Sequence, residues 1–287
     1  MMSNLNQIPF VKVQNNGNDF IFLEHAKLTE FLPANKLTNK FYSDLARETC
    51  SPHFGIGADG LLIAELKDQN IYLKMYNPDG TEDYCGNGIF CAAHVLYTQD
   101  KIPSRATVIQ FDNPSDIVID PSGAIETSIL PGSFKPEEVP YVGDQEELFF
   151  ARVEILDSEF EISALNTGCT QAIIFQEEMI SDHDFLKYSR AIENNRLFPL
   201  KTNVIWVVPE NKHKLRMRIW ERGVGETLSC GSGSAAVAML WNRYKNISGE
   251  LTVSSVGGDT LINVNDWQKL IHMKGNPQIV YEGSLTI

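Results

Sequence analysis

Short apolar runs broken by single polar positions dominate the chain and predict β-strands. Asn, Gly, Pro and Asp bound these runs, as is typical of strands joined by turns. The runs are PFVKV, DFIFLEH, LLIAEL, IYLKMY, TVIQF, DIVID, FFARVEIL, QAIIF, NVIWVV, KLRMRIW, LTVSS and TLINV. Helical periodicity is rarer and predicts helices at 39–47, 88–97, 182–194 and 233–244. The pattern predicts an α/β fold of the α+β type, with mostly antiparallel strands and one central helix in each half.

A Cys-Gly-x-Gly unit occurs twice, each time at the start of an apolar, alanine-containing stretch. The first unit begins CGNGIFCAAHVL at Cys85, and the second begins CGSGSAAVAML at Cys230, about half the chain later. Between them, residues 130–147 are rich in Pro, Gly and acidic side chains, which is typical of a crossing between domains. The repeat therefore predicts two pseudo-symmetric domains.

The composition is that of a folded protein long enough for two domains. Of the 287 residues, 43% are hydrophobic and 21% charged, and the formal net charge is −13. That charge disfavours nucleic acid or anionic lipid as a partner, since both require clustered Lys and Arg. The N-terminal sequence lacks the pattern of a secretory signal, and no apolar window approaches a membrane span. We expect a cytoplasmic protein that binds neither nucleic acid nor membrane.

The cysteines are odd in number and widely scattered, which makes a poor disulfide framework. No C-x-x-C spacing predicts a zinc site, so we expect no metal. The five are Cys50, Cys85, Cys91, Cys169 and Cys230. In a reducing compartment, a cysteine with an unusual context is better interpreted as a reactive thiol.

Each repeated cysteine precedes glycines and a predicted helix, so it lies at a helix N-terminus. That position lowers a thiol pKa, and the first N–H groups of the helix can hold a carboxylate. Two such thiols facing each other across a domain cleft, Cys85 and Cys230, could remove a proton from one face of a carbon and return one to the other. The alternative is that both are small buried hydrophobes, the usual fate of a free cysteine. The duplication favours stereoinversion without a cofactor.

Polar residues flank both units. Glu221 and Arg222 stand ahead of the second unit, and Arg suits bidentate capture of a carboxylate, although a surface ion pair is the alternative. Asn77 stands ahead of the first unit in YNPDG, where it could equally shape the turn. The segment Gly55–Gly60, GIGADG, matches a dinucleotide fingerprint but precedes a strand, so we interpret it as a turn.

The motifs occur in the order found in diaminopimelate epimerases, and the chain resembles that family over nearly its whole length. The matching segments are NNGNDFIFLE, GIGADGLL, YNPDGTEDYCGNG, NVIWV, ERGVGETLSCGSGSAA, VGGDTLINV and MKGNPQIVYEG. The resemblance implies a β-barrel-like sheet around a central helix in each domain. The last strand would return to the first domain, giving domains of 1–130 with 275–287, and 131–274.

The resemblance also implies a function: cofactor-independent, two-base interconversion of LL- and meso-diaminopimelate on the way to lysine and peptidoglycan. The partner would be a small dicarboxylic diamino acid, and the assembly a homodimer. Cys85 and Cys230 would be the catalytic pair. The implied substrate-binding residues are Asn18, Asn77, Gly86, Asn87, Asn203, Glu221, Arg222, Gly231 and Ser232.

One segment departs from the family pattern. Where the family carries Gly-Asn-Pro-His, this chain reads GCTQ, so Cys169, Thr170 and Gln171 replace Asn, Pro and His. Gln cannot act as a base, although it donates and accepts hydrogen bonds. Two alternatives therefore stay open: a related racemase or epimerase on another amino acid, and a non-catalytic ligand-binding relative.

Overall fold

The computed structural model describes residues 7–143 and 145–286. The chain forms two compact units, one ending at Thr127 and resuming at Gly275, and the other running from Ser128 to Lys274. Within the described ranges, no helix combines the length and apolar character that crossing a membrane requires.

The first unit is a mostly antiparallel sheet with a few helices. Its helices are α1 (His25–Thr29), α2 (Asn39–Thr49) and α3 (Gly86–Thr98), with a 3-10 turn at Ala34–Lys36. Its strands are β1 (Gln7–Asn15), β2 (Asn18–Glu24), β3 (Gly60–Lys67), β4 (Asn70–Tyr76), β5 (Glu82–Asp83), β6 (Arg105–Gln110), β7 (Asn113–Ile119), β8 (Ile125–Ile129) and β18 (Gln278–Thr286).

The strand order of this unit is β18-β1-β2-β3-β4-β6-β7-β8, with β5 beside β4. The pairs β2–β3 and β4–β6 are parallel and the others antiparallel. Helix α3 packs against β1, β2, β3 and β4. It is buried on nearly every side, from Asn87 through Leu96, as expected of an apolar helix enclosed by a sheet.

The second unit repeats this plan. Its helices are α4 (Asp182–Glu193) and α5 (Gly231–Lys245). Its strands are β9 (Ala151–Ile155), β10 (Ser158–Asn166), β11 (Thr170–Phe175), β12 (Asn203–Pro209), β13 (Lys214–Glu221), β14 (Gly225–Thr227), β15 (Gly249–Ser255), β16 (Gly258–Val264) and β17 (Ile271–Gly275).

The strand order here is β9-β10-β11-β12-β13-β15-β16-β17, with β14 beside β13. The parallel pairs, β11–β12 and β13–β15, fall at the same places as in the first unit. Helix α5 packs against β11, β12, β15 and β16 and is buried from Gly233 through Asn242. The expected fold, a mostly antiparallel sheet around a central helix in each half, is confirmed.

The two central helices begin earlier than their periodicity predicts. They start at Gly86 and Gly231, directly after the repeated cysteines, rather than at Gly88 and Gly233. Glycine weakens a sequence-based helix prediction because it is a poor helix former. The earlier start makes each cysteine the N-cap residue of its helix.

Candidate active site

Cys85 and Cys230 occupy equivalent backbone positions in the two units. Cys85 caps α3 with φ −141° and ψ 113°, and Cys230 caps α5 with φ −142° and ψ 117°. Neither thiol makes a capping hydrogen bond to its helix. The first-turn N–H groups have no intrahelical partner, so each unit places a thiol beside a helix end that attracts negative charge.

Two asparagines surround Cys85 in the first unit. The thiol donates a hydrogen bond to Asn18 Oδ1, with an Sγ to Oδ1 distance of 3.9 Å. The same oxygen accepts a bond from Asn87 Nδ2 at 3.1 Å. The buried Gln110 accepts a bond from the Cys85 backbone N–H at 3.3 Å. Of the residues that the sequence indicated, Cys85, Asn18 and Asn87 therefore lie together.

Ser232 is the direct neighbour of Cys230 in the second unit, with its hydroxyl 3.3 Å from the Cys230 sulfur. Gln171 Nε2 lies 3.3 Å from that hydroxyl and donates to the Cys169 sulfur at 3.1 Å. Asn203 Nδ2 donates to Gln171 Oε1 at 3.2 Å. The segment GCTQ, which differs from the family pattern, therefore lies beside Cys230 and contacts its neighbour Ser232. Gln171 of this segment is fully buried.

Arg222 and Glu221 reach this cluster through the backbone of β13 and the turn that follows it. Asn203 Oδ1 accepts a bond from the Arg222 backbone N–H at 2.8 Å. The exposed Arg222 guanidinium donates to Leu200 O at 3.1 Å. Glu221 Oε1 accepts from the Thr227 hydroxyl at 2.5 Å. Glu221 and Arg222 do not form the ion pair that was the alternative interpretation, because each side chain bonds to another group.

The surroundings of Cys230 raise the pKa of its thiol, although the residue as a whole is only half-buried. Loss of solvent around the sulfur raises its pKa well above the usual value, and the Glu221 carboxylate raises it further. The nearby Ser232 hydroxyl and Gly233 backbone N–H oppose this rise in pKa only in part. We expect a helix N-terminus to lower a thiol pKa, but the shift for Cys230 is in the opposite direction, because loss of solvent around the sulfur outweighs the helix end.

All five cysteines are free thiols rather than disulfides. Burial raises the pKa of Cys50 to about 11 and that of Cys91 well above its usual value. Burial also raises the pKa of Cys169, although bonds from Ser232 and the Arg222 charge lower it in part. Cys50 and Cys91 are therefore packing residues, as their sequence context indicates.

The glycines of the two units have different tasks. A Cβ added at Gly86 would meet nothing within 4 Å, so this residue leaves room above the helix end. A Cβ at Gly88 would lie 2.9 Å from Leu62 Cδ2, and one at Gly233 would lie 2.9 Å from Ile219 Cδ1 and 3.1 Å from Ile205 Cδ1. The second glycine of each unit therefore lets the helix approach the sheet closely.

Replacing Gly233 by alanine is expected to lower the free energy of unfolding by about 1–2 kcal/mol. Overpacking against two buried isoleucines outweighs the gain in helix propensity. Gly231→Ala is the matched control, because its added Cβ would meet only the flexible end of Met273 at 3.3 Å. Thermal unfolding of the two variants tests this expectation, and equal midpoints would contradict it.

Asn77 and the GIGADG segment are turn residues in this structure. Asn77 bonds with Thr81 through both its backbone N–H, at 2.8 Å, and its side chain, at 3.0 Å. GIGADG follows α2 and leads into β3 at Gly60, which is not the strand-to-helix context of a dinucleotide site. The substrate contact of Asn77 stays a prediction.

Sequence reasoning missed Asp59, Gln110 and Asn15 as supports of the first site. Asp59 accepts a bond from Asn18 Nδ2 at 2.9 Å, and Asn15 Nδ2 donates to Asn87 Oδ1 at 2.9 Å. Asp59 lies inside a motif interpreted only as a turn, and Gln110 ends β6, with no signal linking either to Cys85. In the described part of the chain, no cluster of three or more His, Cys, Asp or Glu side chains is placed to hold a metal ion.

Comparison with known proteins finds relatives in sequence and in fold. Residues 10–112 and 163–280 match the family described as Diaminopimelate epimerase. The diaminopimelate epimerase of Clostridium perfringens is 32% identical, over 96% of this chain and 98% of that protein. The diaminopimelate epimerase of Desulfitobacterium hafniense is 31% identical, over 96% of this chain and 97% of that protein.

Solved structures with lower identity show the same fold. A Bacillus anthracis phenazine biosynthesis protein of the PhzF family has a TM-score of 0.68 at 17% identity and covers 99% of this chain and 100% of its own. A hydroxyproline epimerase from Agrobacterium vitis has a TM-score of 0.64 at 11% identity and covers 98% of this chain and 93% of its own.

Together, the fold and the sequence relatives define an isomerase of the epimerase class. The chain belongs to the diaminopimelate epimerase family.

Proposed function

We propose that the protein is a cofactor-independent epimerase that interconverts LL- and meso-diaminopimelate, with Cys85 and Cys230 as its two acid–base groups. One observation carries the proposal: each unit starts its central helix with a cysteine in the same extended conformation, and neither side chain caps the helix. A structural cysteine has no reason to recur at this position in both units. The relatives supply the substrate, since those at about 31% identity are diaminopimelate epimerases.

The chemistry needs one thiolate and one thiol. The thiolate removes the proton from the α carbon, and the thiol donates a proton to the opposite face, so the configuration inverts and the two sulfurs exchange protonation states. The raised pKa of Cys230 favours the protonated form of this thiol in the resting enzyme. The N–H groups at the starts of α3 and α5 suit the carboxylate at the reacting carbon, and Gly86, Asn87, Gly231 and Ser232 provide them.

Recognition of the rest of the substrate is assigned to side chains around the two thiols. Asn18 and Asn77 belong to the first unit, and Asn203, Glu221 and Arg222 to the second. The exposed Arg222 guanidinium would pair with a carboxylate, while Glu221 would pair with an ammonium group. These roles account for a substrate that carries charged groups at both ends.

A second candidate is an epimerase or racemase acting on a different amino acid. It is favoured by the cluster of Cys169, Gln171 and Asn203, where amide N–H groups are directed at a sulfur. Cys169 accepts hydrogen bonds weakly, so the second unit offers a substrate fewer strong polar contacts at this point than an Asn would. A non-catalytic ligand-binding relative is the third candidate, and the two retained thiols disfavour it.

Proton exchange at the α carbon distinguishes the candidates. The protein is incubated in D₂O under reducing conditions with LL-diaminopimelate and, separately, with a panel of single amino acids, and deuterium content and configuration are followed. Exchange and inversion at one stereocentre of diaminopimelate would support the main proposal. Exchange only with another amino acid would support the second candidate instead. No exchange with any of these compounds would support the third.

The proposed function also leads to an expected oligomeric state and cellular compartment. We expect a cytoplasmic homodimer that supplies meso-diaminopimelate for lysine and peptidoglycan synthesis. Sedimentation velocity on the purified protein tests the dimer, and a monomer at micromolar concentration would contradict it.

A further inference from the structure

A chain of three asparagine side chains leads to the Cys85 thiol in the first unit. The backbone N–H of Asn276 donates to Asn15 Oδ1 at 3.1 Å, and Asn15 Nδ2 donates to Asn87 Oδ1 at 2.9 Å. Asn87 Nδ2 then donates to Asn18 Oδ1 at 3.1 Å. Asn18 Nδ2 finally donates to the Asp59 carboxylate at 2.9 Å. We call Asn15, Asn87 and Asn18 the asparagine chain.

The two ends of the asparagine chain determine the direction of every bond in it. A backbone N–H can only donate, and an ionised carboxylate can only accept. If any one amide rotated by 180°, two donors or two acceptors would face each other at one of these short contacts. Asn15 and Asn87 are buried, so water cannot relieve such a conflict there.

The Asp59 end is itself held in place. The Asp59 carboxylate also accepts from the Asp19 backbone N–H at 3.1 Å, and the Asp59 backbone N–H donates to Asp19 Oδ1 at 3.0 Å. Asp19 in turn pairs with the buried Lys12 at 2.5 Å. This reciprocal pairing ties the turn before β3 to the start of β2, where Asn18 lies.

We propose that Asp59 and the asparagine chain position the Asn18 side chain so that its amide oxygen, rather than its NH₂ group, faces the sulfur of Cys85. An oxygen accepts from S–H and so favours the thiol, whereas an NH₂ group would donate to the sulfur and favour the thiolate. Asp59 and Asn15 are thus positioning residues that act on Cys85 through Asn18. The catalytic consequence, control of when Cys85 becomes a base, rests on the proposed function, but the orientation itself does not.

The arrangement is specific to the first unit. Cys169 takes the place of Asn18 in the second unit. Gly17 precedes Asn18, the first residue of β2, and Gly168 precedes Cys169, which stands directly before β11. The neighbour of Cys230 is the Ser232 hydroxyl, which can donate or accept. The two thiols therefore start from different hydrogen-bonding conditions.

The ionisable groups around Cys85 belong to several elements of the first unit. Asp19 and Asp59 lie on β2 and on the turn before β3, and Lys12 on β1 neutralises Asp19. Asp83 and Tyr84 precede Cys85 in the chain, and the Cys91 thiol lies within α3. A test by substitution must therefore separate a change in orientation from a change in the charge of this set.

The exchange of Asp and Asn between positions 59 and 15 meets that requirement. In Asn15→Asp with Asp59→Asn, the acceptor-only group moves to the buried end. The carboxylate introduced at position 15 accepts from both Asn276 and Asn87, so the bonds of the asparagine chain reverse and Asn18 turns its NH₂ group to Cys85. The Asp19 backbone N–H, which shares Asp59 Oδ2 with Asn18, then loses this acceptor and turns to water at the exposed end of the chain. We expect the rate of Cys85 alkylation by iodoacetamide at pH 7, followed by peptide mass spectrometry, to rise about threefold to tenfold. Asp59→Asn alone keeps the original direction and should change the rate less than about twofold.

Two further variants keep the proposal testable if the double variant does not fold. Asn18→Ala removes the oxygen and should raise Cys85 alkylation at pH 7 about twofold to fivefold. Asp116→Asn, at an exposed position on β7 that bonds Thr107, is the charge control and should have no effect. An unchanged Cys85 profile in Asn18→Ala, or in a folded double variant, would overturn the proposal. Alkylation needs no substrate, so this outcome is separate from a failure of the proposed epimerase activity.

Discussion

Replacing either Cys85 or Cys230 by alanine is expected to lower kcat/KM for stereoinversion by about 10²–10⁴-fold or more, because each variant lacks one of the two acid–base groups. Both substitutions should leave the fold intact, since neither thiol caps its helix. The measurement is inversion of LL-diaminopimelate, followed by chiral chromatography and by deuterium content at the α carbon.

Cys91→Ala is the matched control for these variants. Cys91 lies in the same helix as Cys85 but is fully buried, so its loss should cost some stability and leave inversion largely unchanged. If Cys85→Ala or Cys230→Ala inverts the substrate at the parental rate, the two-thiol mechanism is wrong.

Glu221→Gln is expected to make Cys230 about tenfold more reactive towards iodoacetamide at pH 7. The Glu221 carboxylate is a cause of the raised pKa of Cys230, second to burial. Removing this negative charge lowers the thiol pKa and so raises the thiolate fraction at pH 7. The alkylation curve of the Cys230 peptide should therefore move to lower pH, while epimerisation should fall because Gln lacks the negative charge proposed to bind an ammonium group.

Glu226→Gln provides the comparison for this variant. Glu226 lies on the neighbouring strand β14 and pairs with Arg218 at 2.8 Å rather than with the thiol cluster. Its loss should leave Cys230 alkylation unchanged. An alkylation curve that does not move in Glu221→Gln would show that burial alone sets the reactivity of Cys230.

The sequence predicted the fold because its signals are local. Strand alternation and turn residues located most strands, and the recurrence of Cys-Gly-x-Gly indicated two similar halves. Strand β10 was missed because its polar N-terminal half, SEFE, hides its apolar end. Helix α1 spans only five residues, too few for a periodic signal.

The supports of the site could not be predicted, because they come from distant parts of the chain. Gln110 lies 25 positions after Cys85, and Asn276 meets Asn15 across 261 positions. Only strand pairing brings such residues together, and nothing in the local composition marks them. The repeated cysteines were predictable because their own neighbours carry the signal, whereas the raised pKa of Cys230 depends on burial that a sequence does not display.

The N-cap residues of the helices differ in how much they stabilise the fold. Thr38 and Ser181 cap α2 and α4 with side-chain hydrogen bonds to the Phe41 and Asp184 backbone N–H groups, whereas α3 and α5 begin with cysteines that do not. A side-chain cap is worth about 1 kcal/mol, so each central helix is less stable than a Ser or Asp at the same place would make it. Selection for thermostability alone would replace both cysteines, so under the proposed mechanism we expect the melting temperature to be lower than Ser or Asp at these two positions would give.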